Sequence, residues 1–170
     1  MPLWEFHPIL VHFPIAFLLA GMAVEVWASR RPRESLTRPA AGLLVAGTIS
    51  GWLAAIAGLI AFLTVRAHTE EAHELMYWHL GLGVGCLLLF SWVAWHRWRK
   101  RDARASTSLL VIGLIASVLL VITGDLGGGL VFHGGAGVDP DILAPEIRSG
   151  HSHQNGEPER STHGDGSHGH

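Results

Sequence analysis

Four stretches of the chain contain no Asp, Glu, Lys or Arg: Phe6–Val24, Pro39–Val65, Leu75–His96 and Ala105–Gly124. Each reaches the roughly 18 residues that a helix needs to cross a bilayer's hydrocarbon. The pattern predicts spanning helices at about 8–28, 39–65, 75–98 and 106–132. The connections between them are short, so neighbours in sequence should run antiparallel, giving an all-α, up-down four-helix bundle. From 139 to 170 the apolar runs stop and Gly, Pro, Ser, Asp and His dominate. That composition predicts a disordered tail beyond a membrane domain at 1–138. No internal repeat is evident in the residue identities. Nothing basic precedes the first apolar stretch and no small-residue cleavage site follows it, so it is expected to be retained.

Charge sets the expected orientation. Arg30, Arg31, Arg33 and Arg38 follow the first helix, and Arg97, Arg99, Lys100, Arg101 and Arg104 follow the third. These nine of twelve basic residues fall on one side, which the positive-inside rule makes cytoplasmic. The expectation is a multi-pass protein of the bacterial inner membrane with both termini extracytoplasmic. Trp4 and Trp78 then mark the outer interface, and Trp27, Trp95 and Trp98 the inner one. With 49% apolar and 15% charged residues, the lipid bilayer is the first expected partner. A formal charge of −2 gives no case for nucleic acid, and Cys86, the chain's one cysteine, cannot form an internal disulfide.

Histidine changes the picture. Eleven of the twelve, all but His96, fall on the expected outer side. His7 and His12 open the first helix in the segment Trp4–Phe17, WEFHPILVHFPIAF, and His79 lies in the first turns of the third. His133 follows the fourth. Neutral imidazole ligates Fe, Cu or Zn at ordinary pH, and ionisable groups within spans usually serve function. His7, His12, His79 and His133 are therefore the candidate ligands of a centre near the outer face, with His12 and His79 expected to face each other. The competing reading is that they are interfacial histidines bonding carbonyls or headgroups. Pro14 deprives the Leu10 carbonyl of its helical donor and predicts a break there. Asp125 is a candidate partner for a histidine, Glu25 an inner-boundary residue. Gly47-x-x-x-Gly51 permits close helix approach, while Gly83, four residues from His79, would leave room for a flat cofactor. In the tail, His151, His153, His163, His168 and His170 are expected to bind transition metals weakly and without fixed geometry.

The opening His7-Pro8-Ile9-Leu10-Val11-His12-Phe13-Pro14-Ile15-Ala16 resembles the HPxxVHFPIA motif of the bacterial membrane proteins known as domain of unknown function 2231. Ile56-Ala57-Gly58-Leu59 and the segment Gly127–Val138, GGGLVFHGGAGV, are similar to that family's second helix and to its GGxLVxxHGxGV ending. His79 matches its third-helix histidine, and Asp125 stands outside its pattern. The resemblance covers about residues 3–138. It implies a four-helix inner-membrane protein; relatives fused to cytochrome-c-like domains imply redox work with such a partner.

Three functions follow as expectations. The first is a haem b-binding, cytochrome-like redox subunit, with bis-histidine ligation inside the bundle. The second is a membrane protein that binds or handles Cu, Zn or Fe through the same cluster, with the tail as a collector. The third is a structural or assembly subunit. A stand-alone enzyme is not expected, because no G-x-S-x-G elbow, H-E-x-x-H helix or phosphate-binding glycine loop is present. Four helices leave little room for a transport path without homo-oligomerisation.

Overall fold

A computed structural model describes residues 6–30, 36–64 and 70–132, apart from the side chains of 70–73. The chain divides into Met1–Val138 and Asp139–His170, and all described residues lie in the first unit. His133, the tail and its five histidines lie outside the described residues. The elements are α1 (Phe6–Leu10), α2 (His12–Arg30), α3 (Thr37–Thr64), α4 (Glu70–Arg99) and α5 (Thr107–Phe132), with no strand among the described residues. Four apolar helices are long enough to cross a membrane: Phe6–Arg30, which joins α1 and α2, then Thr37–Thr64, Glu74–Arg99 and Thr107–Phe132.

Local chemistry explains the boundaries. Val11, between α1 and α2, is a turn residue, one position after the carbonyl that Pro14 leaves without a helical donor. The Val11 amide still donates to the His7 carbonyl at 3.1 Å, so the break is an interruption within one span. At the start of α5 the Ser106 hydroxyl accepts the Leu109 amide at 3.3 Å, an N-cap bond.

Packing runs in sequence order. The main contacts are α2 on α3, α3 on α4 and α4 on α5, with α2 touching α5 to close the ring and α1 lying against α3. Leu18, Met22, Leu44, Cys86, Phe90, Val93 and Ala116 fill the centre. Small residues let the backbones approach: a Cβ on Gly47 would sit 2.7 Å from Leu18 Cδ2, and one on Gly51 would overlap Leu87 Cδ2. Many large apolar side chains face outward, including Ile49, Leu53 and Ile56 on α3 and Ile115, Val118 and Ile122 on α5. In lipid this costs nothing, because acyl chains are as apolar as leucine.

At one end of the bundle the core turns ionic. Glu25 of α2 and Arg97 of α4 are each about 1% exposed, and Arg97 Nε donates to Glu25 Oε1. Arg97 Nη1 also donates to the carbonyls of Lys100 and Ala103, both at 3.0 Å, which ties down the turn into α5. Among the described buried side chains, Arg97 Nη2 is the one nitrogen left without a partner. Glu25 is thus a buried ion-pair residue, not the boundary residue its place beside the first loop suggested. Nearby, Arg38 and Asp102 pair at 2.5 Å in the open, and the guanidinium's hydrogen bond holds the Asp102 carboxyl below its usual range.

Candidate functional site

The opposite end of the bundle carries two histidines built in the same way. His7, on α1, reaches across to α3, where its Nδ1 lies 2.8 Å from the Ala54 carbonyl oxygen. His79, on α4, reaches across to α5, where its Nδ1 lies 2.9 Å from the Thr123 carbonyl oxygen. A carbonyl only accepts, so each Nδ1 carries the proton and donates. In the neutral imidazole that leaves Nε2 as an unprotonated lone pair on both rings. The ring centroids are 6.2 Å apart and the planes cross at 88°.

Glycine makes both reaches possible. A helical carbonyl at position i already accepts the amide at i+4, and a side chain at i+4 overhangs it. The residue four beyond Ala54 is Gly58, where a Cβ would come within 2.8 Å of His7 Nδ1 and Cε1. The residue four beyond Thr123 is Gly127, where a Cβ would come within 2.9 Å of His79 Cε1. The imidazoles occupy the missing side-chain volume. Gly83, on the histidine's own helix, has a different neighbour: its nearest contact is the Thr123 methyl at 3.4 Å.

The other candidate residues fall elsewhere. His12 is exposed at the start of α2, and the inward partner of His79 is His7 instead. Five residues turn a helix by about 140° from its starting face, so with His7 turned in, His12 must turn out. His96 bonds the Trp92 carbonyl at 3.1 Å, near the Arg97 end. Asp125 is exposed, and the groups that orient the two rings are backbone carbonyls. Among the described residues no group of three or more His, Cys, Asp or Glu side chains gathers at one point. Composition and spacing did not single out Gly58, Ala54, Thr123 or the Glu25–Arg97 pair. Gly58 and Gly127 could have been found as glycines standing in segments otherwise read only as family motifs.

No curated protein and no solved structure gives a significant match to the chain. Residues 4–140 match the predicted membrane protein family DUF2231, with His7, Gly58, His79 and Gly127 all inside the matched span, and the chain belongs to that family.

Proposed function

We propose that the protein binds a transition-metal centre between His7 and His79, close to the extracytoplasmic face of the bacterial inner membrane. One observation carries this reading: both imidazoles are fixed through Nδ1 to a backbone carbonyl and stand 6.2 Å apart. A carbonyl on the far nitrogen is the usual device that sets tautomer and ring direction in a metal-ligating histidine. Haem b, serving electron transfer with an extracytoplasmic redox partner, is the leading form of the centre. A bare Cu, Zn or Fe ion, bound for handling or delivery, is the second. The geometry that favours haem is the ring separation, which fits ligands on opposite sides of one metal.

The test is an absorption spectrum and elemental analysis of the full-length protein purified from its membrane. The expected result is one tightly held centre per chain, lost in His7→Ala and His79→Ala and kept in His12→Ala and His96→Ala. A Soret band that shifts on reduction identifies haem; its absence beside stoichiometric metal identifies the ion. A wild-type protein without haem or tight metal would overturn the proposal and leave the structural reading of the pair.

A further inference from the structure

The bundle contains a repeat that the residue identities conceal. Seventy-two residues separate His7 from His79, and the same number separates Glu25 from Arg97. In that register the buried residues of α2 fall on buried residues of α4: Pro14 on Cys86, Leu18 on Phe90, Met22 on Ala94. Helices α3 and α5 align in burial at an offset of 69: Leu44 with Gly113, Ala54 with Thr123, Gly58 with Gly127. Buried stripes alone would prove little, since any two can be slid into agreement every three or four residues. The polar bonds decide it. The same offsets carry the His7 bond to Ala54 onto the His79 bond to Thr123. They also carry the Thr48 hydroxyl bond to the Leu44 carbonyl, 2.7 Å, onto that of Ser117 to Gly113, 2.8 Å.

Both hairpins, α1/α2 with α3 and α4 with α5, enter the membrane from the same side. Parallel repeats of that kind are related by an axis along the membrane normal. Equivalent residues that meet must meet on that axis, as His7 and His79 do at one end and Glu25 and Arg97 at the other. The inner pair is an equivalence broken by charge: two copies of the first hairpin would bury Glu25 against Glu25, and two of the second Arg97 against Arg97. The outer pair has kept its identity. Each hairpin supplies one half-site: an imidazole, a carbonyl that holds it and a glycine that admits it.

A two-fold centre constrains its ligand. Two imidazole nitrogens about 2.0–2.1 Å from one metal put their ring centroids roughly 6.4 Å apart when opposed, and roughly 5.2 Å at a tetrahedral angle. The observed 6.2 Å is close to the opposed arrangement. Imidazole ligates in its neutral form, and among the described residues no carboxylate or thiolate joins the two rings. A doubly charged ion held by these two imidazoles alone would keep its charge in an apolar setting and have only two of the four ligands zinc usually takes.

We infer that the protein is two fused copies of one helical hairpin, and that His7 and His79 form an on-axis centre for a metal of low net charge with two opposed open positions. A haem iron, whose porphyrin supplies four nitrogens and two negative charges, and a cuprous ion, content with two ligands, both meet that description. This deepens the imidazole-pair reading proposed above and rests on it.

The experiment loads full-length protein in lipid nanodiscs with ferric haem, with cuprous ion under reductant or with zinc, and measures bound centre per folded monomer. The expected result is one haem or one copper per chain and no stoichiometric zinc. His7→Gln and His79→Gln keep a side-chain donor for the carbonyl and remove the ligand; each should cut occupancy by at least about tenfold. Gly58→Ala and Gly127→Ala should weaken binding by similar factors, because the half-sites are equivalent. His133→Ala should change nothing. Zinc bound tightly through the same two histidines, or loss of the centre in His133→Ala, would overturn this inference while the imidazole-pair reading stood. So would a tenfold disparity between the two histidines or the two glycines. A protein that takes up none of the three would overturn both.

Discussion

Arg97 is held by three oxygens in a part of the bundle where water and lipid headgroups do not reach it. A charge in that position is tolerable only while its counter-charge stays. Glu25→Ala should therefore lower stability by about 3–5 kcal/mol, the range for breaking one side of a buried pair. Unfolding of the purified protein in detergent measures it; a change under about 1 kcal/mol would mean that the pair is not buried in the membrane. Arg97→Leu should cost at least as much, since it also frees the carbonyls of Lys100 and Ala103. The double variant should cost less than the sum, because the two share one interaction. None of this was legible in the sequence, where Glu25 and Arg97 each sit beside a loop rich in arginine and read as ordinary boundary charges. The histidines were legible as a class. Which of His7 and His12 turns inward was not, because that depends on the helix phase around the Val11 interruption.

A helix that is apolar on every side gives no periodic signal of which face is inside, and α3 and α5 are of that kind. Only their small residues report it. Gly47-x-x-x-Gly51 was readable as a place of close approach, but not what approaches. The structure puts Leu18 of α2 against Gly47, with its backbone amide 3.0 Å from where a Cβ would stand. A backbone neighbour cannot swing aside, so Gly47→Ala should cost about 1–3 kcal/mol by overpacking. Gly42, on the same helix, has nothing within 4 Å of its would-be Cβ. Gly42→Ala should be neutral or gain up to about 1 kcal/mol from helix propensity alone. Thermal unfolding of the two variants side by side checks the packing of α2 on α3. Equal effects from both would show that the α2–α3 interface is misplaced. The hairpin repeat escaped sequence reading for a related reason: outside the histidine and glycine pairs, its equivalent positions keep burial but not identity, as with Pro14 and Cys86.

At the scale of the molecule the two ends differ in kind, and the difference predicts which way the chain sits. Cations and tryptophans crowd the Arg97 end: Arg99 stacks on Trp95 with its guanidinium carbon 5.0 Å from the ring centroid, and Arg101 on Trp98 at 4.9 Å. Trp27 is exposed there as well, and Tyr77 and Trp78 are exposed toward the other end. Two aromatic belts bracketing one slab are the mark of a spanning bundle. Arg97 is spent on Glu25, and Arg38 has Asp102 beside it, yet the rule for orientation counts Lys and Arg in short loops and is not a net-charge rule. The remaining loop cations still outnumber those at the histidine end. In full-length protein with Cys86→Ala, a cysteine at Thr69 should react in intact cells with a membrane-impermeant maleimide, and one at Ala103 only after the membrane is opened. A reporter active only outside the cytoplasm should work when fused after Val138. The reverse labelling would put His7 and His79 at the cytoplasmic face, where the proposed centre would meet cytoplasmic donors instead of the proposed extracytoplasmic redox partner.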